Sequence, residues 1–216
     1  MFRIIVLLTL LHFYQPVFST EDTVSQGVAR YLTRIHKYME DEDWINAKRE
    51  LEVTARRYFK NEDSYERALI NQLYGQFYAL QRDYKNATPW FEKAIAKGRL
   101  PFAADLQVTY SLAQCYFQTG RYQDVIKTLE NYRNKAEKRG QNMAPIQLML
   151  LGIAYYQEQD ILNAYANIAE ANATATKLNE EWLQYEFALA VKLEKYDDAV
   201  RAVSYTHLRA HETMVD

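Results

Sequence analysis

Two histidines, His207 and His211, are the first residues whose spacing invites chemistry. Side chains four apart share a helix face, and two imidazoles placed so can ligate one metal ion. A metal site needs a fuller ligand set, and no carboxylate or cysteine cluster accompanies the pair, so no metal is expected. The acidic run MEDEDW at 39–44 has the charge of a calcium loop but lacks the alternating ligands, central glycine and final glutamate of an EF-hand. It is read instead as a helix turn in which Asp43 caps the following helix. NAT at 172–174 fits a glycosylation acceptor in a eukaryotic secretory route, but it falls inside an expected helix.

Nucleophilic catalysis needs an activated residue and an oriented base. The sequence contains no GxSxG, no HExxH and no glycine-rich phosphate loop, and outside both termini its one histidine is His36. The single cysteine, Cys115, excludes an intramolecular disulfide and a CxxC site; it is expected to be a small apolar filler on a packed helix. No catalytic residue and no cofactor are expected.

The elements that would carry any site follow from composition and period. Gly (6) and Pro (4) are scarce while Tyr reaches 18, so the chain lacks the turn chemistry of a β protein and reads as all-α. The formal charge of -2 becomes 25 - 28 = -3 once Arg3 is set aside, which offers no basic stripe to nucleic acid.

A template recurs along the chain. A small residue stands at Gly75, Ala113 and Gly152, and a tyrosine follows three residues later at Tyr78, Tyr116 and Tyr155. After a break at RDY, GRY or QDI come Ala87, Val125 or Ala164, then a large apolar residue at Phe91, Leu129 or Ile168. Weaker copies flank these, with Ala47 and Leu51 on one side and Ala199 on the other. Spacing by three and four aligns each set on one helix face, and the break lets a second helix fold back on the first. Small residues let the two backbones approach closely. Pro101 and Pro145 stand where first helices should begin, a position that needs no N–H partner. Pro89 falls inside a second helix, where a kink or a late start is expected.

These residues resemble the tetratricopeptide repeat, over roughly residues 30–203. The resemblance implies an α-solenoid of antiparallel helix pairs, about four complete repeats plus a truncated fifth. Its period here exceeds the usual ~34 residues, an excess assigned to longer second helices and to inter-repeat turns such as AKGRLPFAA and KRGQNMAP. In such arrays the first helices line a concave face. Carried onto this sequence, that face holds Gln72 and Gln76, then Tyr110, Gln114, Phe117 and Gln118, then Met149, Ile153, Tyr156 and Gln157. Amide and aromatic side chains suit an extended peptide or a helix. The Lys/Asn clamp with which some relatives hold a C-terminal carboxylate is missing at these positions.

Both ends have their own logic. Arg3, an apolar run over 4–11 and then QPVFST read as a signal peptide of residues 1–19, cut near Ser19. The run is too short for the ~20 residues of a membrane span, so no stable anchor is expected after cleavage. Residues 204–216 resemble an adaptor-derived read-through tail, leaving 20–203 as the repeat domain. The stretches YERALINQLYGQFYALQRDYKNATPWFEKAI, TYSLAQCYFQTGRYQDVIKTL and EEWLQYEFALAVKLEKYDDAV are similar to exported repeat proteins that accompany bacterial TonB/ExbB/ExbD systems. That resemblance implies a noncatalytic periplasmic scaffold for a protein or peptide partner, such as a TonB-system component. The alternative is an envelope assembly factor or chaperone for unfolded outer-membrane or cell-wall clients.

Overall fold

The computed structural model describes residues 26–58, 63–177, 179–200 and 202. The expected signal peptide at 1–19, the tail at 204–216 and its His207 and His211 lie outside them. Nine complete helices, the start of a tenth and no strand are present among the described residues, in accord with the all-α expectation. The chain divides into two compact units, with the boundary between Val108 and Thr109.

The first unit contains α1 (Gln26–Glu40), α2 (Trp44–Tyr58), α3 (Tyr65–Leu80), α4 (Tyr84–Ile95) and the first part of α5 (Phe102–Gln118). α1 packs on α2, α2 on α3 and α3 on α4. Val28, Leu32, Ile35 and Met39 recur every three or four residues along α1 and close on Ala47, Leu51, Ile70, Leu73 and Phe77. Trp44 meets Phe77 edge to face, with ring centroids 6.0 Å apart. The second unit holds the rest of α5, α6 (Tyr122–Glu137), α7 (Pro145–Gln157), α8 (Ile161–Thr174) and α9 (Glu180–Lys192). There α6 packs on α7, α7 on α8 and α8 on α9, around buried Val125, Leu129, Leu148, Leu151, Ala164 and Ile168. Residues 196–200 begin a further helix, with Ala199 buried, where the truncated fifth repeat was expected.

The template residues converge. Ala47, Ala87, Val125 and Ala164 are all fully buried, and so, within 1%, are Leu51, Phe91, Leu129 and Ile168. Each break is one turn geometry repeated. The N–H of Asp43, Asp83, Arg121, Asp160 and Lys195 donates to the carbonyl five residues back, on Tyr38, Tyr78, Tyr116, Tyr155 and Ala190, over 2.8 to 3.0 Å. The residue before each donor takes a left-handed φ: Glu42 (54°), Arg82 (60°), Gly120 (72°), Gln159 (63°) and Glu194 (59°). A left-handed residue is what lets a chain leave a helix in a Schellman-type turn and start its antiparallel partner at once.

The next helix is then capped. Asp43, Asp83 and Asp160 accept the N–H of Asn46, Asn86 and Asn163, and each asparagine returns a hydrogen bond from Nδ2 to the same carboxylate. The expectation for Asp43 therefore holds, and a D-x-x-N signature recurs in three repeats. In the third repeat the chemistry is inverted: Arg121 makes no side-chain cap and its Nε lies 2.7 Å from Asp124 Oδ2.

Two expectations need correction. Second helices are not consistently the longer ones: α4 has 12 residues against 16 in α3 and α6 has 16 against 17 in α5, while α1 and α2 both have 15 and α8 has 14 against 13 in α7. The extra period resides in the inter-repeat connections at 96–101 and 138–144, where Gly98 and Gly140 turn with left-handed φ. Pro89 does not delay its helix, since α4 begins at Tyr84 under the Asp83 cap. Pro89 and Lys85 are both exposed, on the side of α4 where a carbonyl that loses its N–H partner is least costly. Pro145 is the first residue of α7 and Pro101 immediately precedes α5, as expected.

Candidate functional site

The residues that invited chemistry are structural where the fold describes them. No group of three or more His, Cys, Asp or Glu side chains among the described residues is placed to hold a metal ion. MEDEDW forms the end of α1, its turn and the Asp43 cap. Cys115 is buried, and desolvation pushes its thiol up to about 12. Burial lowers the His36 imidazole to about 4, so it is a neutral packing residue. Asn172 of the NAT triplet is buried at 7% exposure, with its Nδ2 donating to Glu186 Oε2 at 2.8 Å and to the Trp182 carbonyl at 3.2 Å. The nitrogen a glycan would need is therefore engaged inside the α8–α9 packing.

The ten residues assigned to a partner face separate by unit and by depth. Gln72 and Gln76 stand on α3 in the first unit. Gln72 is 7% exposed and its Oε1 is buried without a hydrogen-bond partner, while Gln76 is half-buried. The other eight belong to the second unit. Met149 and Ile153 of α7 are core, at 2% and 5% exposure. Tyr110 is half-buried and desolvation pushes its hydroxyl up to about 12, although a hydrogen bond with buried Gln114 opposes the rise. Phe117 is held edge to face against Tyr122, with centroids 5.5 Å apart, and Gln118 beside it is exposed. Tyr156 presents its ring to solvent at 37% exposure, next to half-buried Gln157.

Side chains not singled out from the sequence extend this surface. Ile146 stands one turn before Met149 on α7 and is exposed. On α9, Gln184, Phe187, Ala188, Val191 and Lys192 are all exposed, and the Lys192 ammonium lies 5.9 Å from the Tyr156 ring centroid. The signal for them was present: a step of three or four from Met149 or along α9 reaches every one. The weak fifth copy of the template concealed it, because Ala190 stands where other repeats carry tyrosine. No helix among the described residues is long and apolar enough to cross a membrane.

Comparison with known proteins bears on the fold. The family of anaphase-promoting complex (cyclosome) subunit 3 matches residues 80–142. No curated protein sequence matches the chain. Among solved structures, MamA (residues 41 to the end) from Desulfovibrio magneticus RS-1 is similar with a TM-score of 0.66 at 18% identity, over 90% of this chain and 99% of that one. A tetratricopeptide repeat protein from Parabacteroides merdae is similar with a TM-score of 0.63 at 15% identity, over 84% and 66% of the two chains. PilW, described as a widely conserved type IV pilus biogenesis factor, is similar with a TM-score of 0.55 at 15% identity, over 89% and 100%. The chain has the tetratricopeptide-repeat fold.

Proposed function

We propose that the chain is a noncatalytic scaffold that grips a protein partner through the exposed face of the first helices of its second unit. The observation that carries this reading is the accessible ring of Tyr156 on α7, together with the partly exposed Phe117 and Tyr110 on α5, on helices that also contribute buried core residues. Aromatic side chains held by packing contribute contact area at low entropic cost and dominate protein interfaces. The compartment we infer is the periplasm, supported by the Arg3 and apolar N-terminal pattern, and the system a TonB-type energy-transducing complex, supported by the three stretches that resemble its exported repeat proteins. A second reading, an envelope assembly factor, is favoured by the fold likeness to PilW.

The test replaces Tyr110, Phe117 and Tyr156 together by Ala and measures capture of two purified probes, the periplasmic domain of a TonB-type protein and a urea-unfolded outer-membrane protein. Loss of binding to the first with helicity retained is the expected result. Preferential binding of the second assigns the chain to assembly, and unchanged capture by the triple variant moves the site elsewhere.

A further inference from the structure

The surface of α9 carries a charge order that the partner-face reading does not use. Its exposed residues Glu181, Gln184, Ala188 and Val191 recur at steps of three and four and so lie on one stripe, and Lys192 closes it. The opposite side is buried through Leu183, Leu189 and Ala190. The stripe therefore runs from a carboxylate, through an amide and apolar surface, to an ammonium. Eleven residues separate Glu181 from Lys192, about 16 Å at the helical rise. Beside the ammonium sits the exposed Tyr156 ring of α7, which adds apolar area at that end. Neither Glu181 nor Lys192 makes an ion pair with a described residue, so both charges are presented to whatever lands on the stripe.

From this juxtaposition we infer that the second unit docks a peptide segment of defined polarity, apolar in its middle, with a basic residue at the end that meets Glu181 and an acidic residue at the end that meets Lys192. The inference rests on the partner-face reading and deepens it by stating the partner's chemistry and direction. Apolar contact with Val191, Ala188 and Tyr156 supplies affinity, while the two end charges select orientation, because placing like charges together costs more than a well-placed exposed pair contributes. A purely polar peptide would not match that order; a second copy of this chain laid antiparallel on the stripe would, and the experiment separates it from a peptide.

The experiment pans a random dodecapeptide phage library on the full chain and measures selected synthetic peptides by fluorescence anisotropy against the wild type, Lys192→Glu and Glu181→Lys. Both positions are exposed, so the variants keep the fold, and circular dichroism checks it. Selected peptides are expected to share an apolar centre flanked by one basic and one acidic residue. Lys192→Glu should weaken them about fivefold, the upper range for a solvent-exposed pair, and exchanging the peptide's acidic residue for Lys should restore binding. Peptides that bind but respond only to Tyr110→Ala and Phe117→Ala overturn this inference and leave the scaffold reading intact. Failure to select any peptide overturns both. Concentration-dependent dimerisation abolished by Lys192→Glu would make the stripe a contact between copies and also overturn the inference.

Discussion

A Cβ atom built on Gly75 would lie 2.5 Å from Cδ1 of Phe91, so the glycine of α3 and the ring of α4 occupy one another's space. Gly152 stands in the same relation to Ile168, whose Cγ1 would be 2.6 Å away, with the Ala164 carbonyl oxygen at 3.1 Å. Two opposing effects decide what alanine does there. Helix propensity favours Ala by ~1 kcal/mol, whereas overpacking a filled core costs ~1–3 kcal/mol. Phe91 is 1% exposed and has nowhere to move, so the second effect wins. Urea denaturation of Gly75→Ala should show a loss of about 1 kcal/mol, Gly75→Leu a larger one, and Gly152→Ala a loss at least as large as Gly75→Ala, because backbone cannot swing aside. A neutral or stabilised Gly75→Ala would contradict this packing.

The left-handed turn residues make a paired prediction. At Gly120 (φ 72°) a Cβ meets nothing within 4 Å, so any cost of Gly120→Ala is backbone strain alone, roughly 1 kcal/mol. Arg82 and Gln159 already bear that strain at φ 60° and 63°. Arg82→Gly and Gln159→Gly should therefore raise the unfolding free energy measured in urea slightly, by up to ~1 kcal/mol less the entropy of glycine in the unfolded chain. Opposite signs for the two kinds of variant in the same assay are the outcome to look for.

Helix capping gives a third test. Asp83→Ala or Asp160→Ala removes the acceptor for the N–H of Asn86 or Asn163 and should cost about 1 kcal/mol each. The third repeat offers the converse. Installing the missing signature by Arg121→Asp together with Asp124→Asn should stabilise α6 by several tenths of a kcal/mol, provided the losses of the exposed Arg121–Asp124 pair and of the Arg121 guanidinium 4.3 Å over the Tyr116 ring are small. A destabilised double variant would show that the contacts of Arg121 with Asp124 and the Tyr116 ring matter more than the cap.

Burial of His36 couples stability to pH. Its folded pKa of about 4 lies below the ordinary imidazole value of 6.5, so between those values the unfolded chain binds more protons than the folded one. Stability from this group is then complete above about pH 6.5 and is lost as pH falls toward 4, on the order of 3 kcal/mol in all. Comparing wild type with His36→Gln by denaturation at pH 7, 5.5 and 4.5 isolates the effect from that of the carboxylates. Equal pH slopes in both proteins would remove His36 from the account. Cys115 provides a control for the intact core: with its thiol pushed up to about 12 and buried, it should react with a disulfide reagent at pH 8 only under denaturing conditions.

The sequence by itself determined the helix pairs. Gly75, Tyr78, Ala87 and Phe91 with their counterparts state which faces are apolar and where the chain turns back, because a 3.6-residue period converts spacing directly into a shared side. It also contained the D-x-x-N caps, which were legible only once the turns were seen to repeat. Depth was decided by tertiary structure alone. Met149 and Tyr156 both stand on a face assigned to the partner, yet one is core and the other meets solvent. Their difference depends on what the neighbouring helix places above each position, and that is a property of packing between segments distant along the chain rather than of local period. The same holds for the α9 stripe: Glu181 and Lys192 acquire meaning together only because packing against α8 helps bury the other side of α9.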